Sequence, residues 1–173
     1  MERSDDSLVL PPMVVTLAGE VIAACRLARV RVAVAESCTG GWVGAALTAV
    51  PGASVAFNGG VVCYQNRLKA ALLGVRWETL EGAGAVSADC ARQMAEGVCR
   101  LTASRLGLAV TGVAGPGGEG EKPAGLVYTA VSLDGETAVA ENRFCGGRAE
   151  VRAQSVEKVL QMALECLRKR ETP

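Results

Sequence analysis

Arg31-Val32-Ala33-Val34-Ala35-Glu36-Ser37-Cys38-Thr39-Gly40-Gly41-Trp42 holds the changes of pattern on which the fold turns. Arg31–Ala35, rich in valine and alanine, predicts a short buried strand. Glu36–Gly41 is a polar turn ending in two glycines. From Trp42 to about Ala49 the residues are small and apolar, which predicts a short helix that stops before Pro51-Gly52. Strand, turn and helix in this order open a β-α-β unit, whose strands pair in parallel through right-handed crossovers.

The same alternation continues on both sides. Upstream, Val14, Leu17, Val21, Ile22, Cys25 and Leu27 recur at helical spacing and predict a helix over 13–29. Residues 1–12 are charged and end in Pro11-Pro12, so they are expected to be a disordered or loosely packed tail ahead of one domain over 13–173. Downstream, 57–64 has the β-branched character of a second strand, and 66–73 predicts a helix closed by Gly74. Ser87 is placed to cap a helix reaching about 104, with Asp89 in its first turn. Leu106–Val110 predicts a third buried strand. Two more strands, over 125–133 and 137–144, flank Asp134-Gly135-Glu136, a hairpin signal. An amphipathic helix over 148–170 closes the chain. The expected fold is a three-layer α/β/α sandwich around a mixed, mainly parallel sheet.

Composition narrows the function. In 173 residues, 50% are hydrophobic but only 3% aromatic, so alanine, valine and leucine must fill the core. Eighteen basic and eighteen acidic residues balance to zero, without the basic stripe of a nucleic-acid protein. No partner among nucleic acids or membranes is expected. The seven cysteines are odd in number and form no C-x-x-C pair, the start is polar, and no apolar run approaches the ~18 residues of a membrane span. A reducing, cytoplasmic setting is the expectation. The apolar, alanine-rich helices suggest a homodimer.

The chain contains no histidine. Every histidine-based triad, dyad or metal site is thereby excluded, and no metal or cofactor is expected. A nucleophile here needs lysine, a carboxylate, tyrosine or water as its base.

In open α/β sheets ligands bind beyond the carboxyl ends of the parallel strands. Three loops fall there: Ser37–Gly41, Tyr64–Lys69 and Thr111–Gly118. In the first, Gly40 and Gly41 permit close backbone approach, and the helix N-terminus behind them offers N–H groups to a phosphate or an oxyanion. Ser37 and Thr39 add hydroxyls, with helix capping as the structural alternative. Neither a Walker loop nor a G-x-G-x-x-G follows the strand. Lys69 lies one turn into its helix, where a solvated surface lysine is the ordinary expectation. Without histidine, a serine activated by a lysine is one of the few arrangements left. Arg148 and Arg152 stand four apart near the start of the last helix, where a cation opposes the helix dipole unless an anion or Glu150 offsets it.

Ala35-Glu36-Ser37-Cys38-Thr39-Gly40-Gly41 resembles the A-E-S-C-T-G-G signature of the CinA C-terminal domain family, the nicotinamide-nucleotide amidases. Further segments agree in order and spacing: Gly60–Asn66 through Lys69 to Leu73-Gly74-Val75, Gly84–Ser87, Thr111–Gly118, and Lys122-Pro123-Ala124-Gly125. The resemblance implies hydrolysis of the carboxamide of nicotinamide mononucleotide to nicotinate mononucleotide and ammonia. It makes Ser37 the nucleophile, Lys69 its base and Tyr64 an assistant. It assigns Glu36, Thr39, Gly40, Gly41, Thr111, Gly112 and Arg148 to substrate binding. Gly147 stands where the family usually has aspartate, and Gln65 where it has serine. The larger domain often fused to this module is not found in the chain, which suggests the stand-alone form. Alternatives are action on another amide, a nucleotide-binding regulatory module without catalysis, and Cys38 as a nucleophile acidified by the helix N-terminus.

Overall fold

The structure is a computed structural model that describes residues 10–171; most of the expected N-terminal tail, residues 1–9, lies outside the described residues. Helices α1 (Pro12–Ala28), α2 (Trp42–Thr48), α3 (Asn66–Leu73), α4 (Trp77–Glu81), α5 (Ala88–Thr102) and α6 (Arg148–Glu171) flank one sheet. Its strands are β1 (Val32–Glu36), β2 (Phe57–Val62), β3 (Leu106–Gly112), β4 (Leu126–Leu133) and β5 (Glu136–Arg143), in the order β2-β1-β3-β4-β5.

β1 pairs in parallel with both β2 and β3, whereas β3–β4 and β4–β5 are antiparallel. Four of the five strands therefore run in one direction. The chain leaves β1 toward β2, then returns across β1 to β3. These two connections run in opposite directions over opposite faces, as crossovers of one hand require. The end of β1 is thus the topological switch point, where such sheets bind ligands. Ser37 is the next residue.

Side-chain size divides the two faces. Val32, Val34, Leu106, Leu108, Val110, Val127 and Val131 pack against α1, α2 and α6. The alternate positions Ala33, Ala35, Ala109 and Ala130 meet α3, α4 and α5. This alternation is the period of two expected of a strand with different neighbours on its two faces. With almost no aromatic residues, the second face is filled by bringing backbone close to backbone. A Cβ at Gly107 would lie 2.3 Å from Ala95 O and 2.6 Å from Cys99 Sγ of α5. One at Gly97 would lie 2.1 Å from Leu73 O at the end of α3.

Local signals explain most boundaries. Ser87 Oγ accepts from Cys90 N at 3.2 Å and caps α5. Asp134 and Gly135 take φ of 53° and 89°, the pair of left-handed residues that a two-residue hairpin requires. Two short elements carry no periodic signal and escape the sequence pattern, α4 and a single 3-10 turn over Ala53–Val55. Helix α1 begins at Pro12 rather than Met13, because proline suits the first turn, where its missing N–H is no loss. Among the described residues, no helix is long and apolar enough to cross a membrane.

Gly107→Ala is expected to destabilise the chain by about 2 kcal/mol, since the added methyl must push α5 off the sheet. A thermal melt should fall by about 6 °C; an unchanged melt would contradict this account of the α5 face.

Candidate active site

Lys69 Nζ lies 3.1 Å from Ser37 Oγ, although 32 residues separate them. Ser37 leaves the end of β1, where its N–H donates to Val110 O of β3 at 2.9 Å. Lys69 comes from α3, and its side chain crosses back under the end of β2. Its Nζ also donates to Cys63 O at 2.9 Å and to Tyr64 O at 3.0 Å. Lys69 is only 1% exposed and is the largest of the fully buried side chains. Far from being a surface lysine, it is aimed at one hydroxyl and two carbonyls.

That set of partners has a chemical meaning. An ammonium would donate to all three oxygens. A neutral amine has two N–H groups and one lone pair, and the two carbonyls can only accept. In the structure Nζ donates to the Ser37 hydroxyl as well; a neutral amine in the same place would keep both carbonyl contacts and turn its lone pair to that hydroxyl.

Glu36, expected to contact substrate, is held against the start of α2. It is buried, and Oε2 accepts from Gly41 N at 3.0 Å and Val43 N at 3.1 Å, while Oε1 accepts from Gly44 N at 2.9 Å. The carboxylate is therefore the cap of α2, a place where negative charge is stabilised by the helix dipole. This corrects the expectation that the start of α2, Gly41 included, offers its N–H groups to a phosphate or oxyanion. It also removes Ser37 and Thr39 as the cap. The N–H groups beside Ser37 that donate to no acceptor outside their own residue, among the described residues, are those of Cys38 and Thr39. Gly40 and Gly41 make the tight turn possible with φ of 58° and 97°.

Thr111 and Gly112 have packing contacts of their own. Thr111 is buried, and its hydroxyl donates to Ala85 O at 2.8 Å, tying β3 to the turn before α5. Gly112 is small because β4 leaves no room: a Cβ there would lie 2.6 Å from Val127 Cα. Thr39 is fully buried with Oγ1 unpartnered, and its carbonyl accepts from Arg152 Nη2 at 2.8 Å.

Tyr64 is 54% exposed, and its hydroxyl accepts from Arg148 Nη2 at 3.2 Å. Arg148 Nη1 donates to Gly115 O at 2.8 Å, so one guanidinium joins the second and third loops. A Cβ on Gly147 would lie 3.0 Å from Glu150 Oε2. Glu150 thus places a carboxylate beside the position where aspartate is usual. Arg152, Trp42 and the carbonyls of Cys63 and Gly115 also belong to this region. The carbonyls leave no trace in sequence, since any residue carries one, and Glu36 ends β1 six residues ahead of α2, outside the local cap signal.

Cys38 is 4% exposed, and burial pushes its thiol up to about 11, with the Glu36 charge adding to the rise and its own N–H, Arg148 and Lys69 opposing it. Such a thiol is protonated and covered at neutral pH, the opposite of an activated one. A depression of about 500 Å³, lined by Asp134, Glu136, Cys166 and Lys169 among others, lies at the far end of the sheet, away from Ser37 and Lys69.

With this geometry in place, comparison with known proteins decides the family. The model of the CinA C-terminal domain matches residues 14–167. The chain belongs to the CinA C-terminal domain family. It is 50% identical over 131 residues to a CinA-like protein of Acidobacterium capsulatum, covering 75% of the chain and 32% of the relative. It is likewise 50% identical over 151 residues to a CinA-like protein of Thermosynechococcus vestitus, covering 85% of the chain and 36% of the relative. The chain thus spans about a third of the length of these curated relatives. A competence/damage inducible protein of Agrobacterium tumefaciens is similar in structure, with a TM-score of 0.87 and 40% identity over 92% of this chain and 98% of that one. A CinA superfamily protein of Escherichia coli has a TM-score of 0.86 and 30% identity, over 96% and 99%.

Cys38→Ser is expected to retain any rate of ammonia release to within about threefold, because a buried, protonated thiol is a poor nucleophile. Loss of activity without loss of fold would reinstate Cys38. Glu36→Ala leaves three backbone donors without their anion and is expected to cost about 3 kcal/mol of stability. Unfolding in urea measures it, and an unchanged midpoint would refute the capping role.

Proposed function

We propose that the chain is a nicotinamide-nucleotide amidase that hydrolyses the carboxamide of nicotinamide mononucleotide to nicotinate mononucleotide and ammonia. The observation that carries this reading is the buried contact of 3.1 Å between Lys69 Nζ and Ser37 Oγ, with two carbonyls on the remaining N–H groups of Lys69. Family membership and the resemblance of the Ser37 and Lys69 motifs to those of the amidases favour the substrate.

In the proposed reaction, neutral Lys69 takes the proton of Ser37 as Oγ attacks the carboxamide carbon. The tetrahedral oxyanion faces the N–H groups of Cys38 and Thr39, each such donor contributing a few kcal/mol in a preorganised site, typically about 3. Lys69 returns the proton to the departing ammonia as the C–N bond breaks. A water, losing its proton to Lys69, then attacks the Ser37 ester; the carboxylic acid leaves and Ser37 recovers its proton. Tyr64 assists through its carbonyl, which orients Lys69, and through its hydroxyl, which holds Arg148. Arg148 binds the anionic end of the nucleotide or organises the pocket.

Ammonia release from nicotinamide mononucleotide tests this directly. Ser37→Ala and Lys69→Met are each expected to lower kcat by about a thousandfold or more, as loss of a nucleophile or its base does elsewhere. Ser37→Ala should melt within a few degrees of wild type. Near-normal turnover in either variant would overturn the mechanism. Calorimetric binding of the nucleotide to the wild-type chain without any ammonia would favour a regulatory binding module instead.

A further inference from the structure

Two cations beside the Ser37 loop have no carboxylate in direct contact with them among the described residues. Arg148 and Arg152 lie one turn apart at the start of α6, where the dipole disfavours positive charge and like charges four residues apart repel. Neither forms an ion pair among the described residues. The Arg152 guanidinium stacks on Trp42 with Cζ 4.1 Å from the ring centre, and Nη2 donates to Thr39 O. Its Nη1 donates to nothing among the described residues. Burial, and then the charge of Arg148, lower the Arg152 guanidinium from its ordinary value, while the Glu36 carboxylate works against them from the end of β1.

A second observation points the same way. Trp42 is 7% exposed, and its Nε1–H has no acceptor among the described residues. Arg152 Nε and Thr39 Oγ1 are buried and unpartnered too. Three such atoms around one guanidinium are unusual, because a buried donor left alone costs about 1–3 kcal/mol. The other positive features of the site are committed: Glu36 fills the N-terminus of α2, and Lys69 is enclosed by Ser37, Cys63 and Tyr64.

We propose that Arg152 joins Arg148 in an anion subsite beside Ser37 that takes a phosphate group. The Trp42 face and the Thr39 carbonyl hold the Arg152 plane in one orientation, so its free Nη1 edge meets the anion preorganised, as bidentate recognition of phosphate requires. Identity of that group with the substrate's phosphate rests on the amidase reading; binding of the anion does not.

Inorganic phosphate titrated calorimetrically into the full chain reads the subsite without turnover. Wild type is expected to bind it, and Arg152→Gln to bind about tenfold or more weakly, the loss of one charge-assisted contact. In kinetics, the ratio of kcat/KM for nicotinamide mononucleotide to that for its phosphate-free nucleoside should fall by a similar factor. If Arg152→Gln fails to fold, Arg152→Lys, which loses the planar fork, carries the same comparison. Unchanged phosphate affinity in the variant, no affinity in wild type, or an equal loss on both substrates would overturn the subsite; the last would leave Arg152 as a residue that only positions the Thr39 loop. A wild-type chain that binds phosphate through Arg152 but releases no ammonia would support the subsite and overturn the amidase.

Discussion

The site depends on the burial of one amine. A lysine nitrogen removed from water needs a partner for every N–H, and an unmatched one would cost as much as a lost hydrogen bond or more. The partners available to Lys69 are two carbonyls after β2 and one hydroxyl after β1. Meeting them fixes the ends of two parallel strands and the first turn of α3 with respect to one another. The same demand orients the nitrogen, because carbonyls accept and do not donate. The contacts that make a buried amine tolerable are thus the same ones that hold its nitrogen 3.1 Å from Ser37 Oγ.

Next to it sits a buried carboxylate with the opposite task. Glu36 immediately precedes Ser37 and bends back onto three N–H groups of α2. A helix N-terminus at a strand end is an obvious place for a phosphate, yet here the chain supplies its own anion. The consequence is a division of labour around the switch point. Glu36 occupies the start of α2, the N–H groups of Cys38 and Thr39 in the Ser37 loop donate to no other residue among the described ones, and positive charge comes from α6, at the other end of the sequence. The first turns of α6 reach all three loops, through Arg152 to Thr39 O and through Arg148 to Tyr64 and Gly115.

The scarcity of aromatic side chains shapes the layer beneath. Where Val and Leu fill one face of the sheet, Ala and Gly on the other let α5 lie almost against the strands. This close approach holds the turn before α5 near the end of β3, where Ala85 O takes the Thr111 hydroxyl. A core built this way tolerates little added volume, since there is backbone rather than flexible side chain to displace.

Much of this was legible in the chain itself. Periodicity located five long helices and five strands to within a few residues, Ser87 and Asp134-Gly135 announced their cap and turn, and the lack of histidine narrowed the chemistry to bases such as Lys69. These are local properties, decided by residues within a turn or two of one another. The identities of Ser37 and Lys69 were available from their motifs, but not their contact, which spans 32 residues and exists only because β2 lies beside β1. Tertiary structure alone decided that Glu36 caps α2, that Thr111 ties β3 to the turn before α5, that Gly112 lies against Val127, and that Arg152 faces Trp42. Each of those roles depends on what occupies the space beside the residue, and that neighbour comes from a distant part of the chain or from a backbone group whose presence no side-chain letter records.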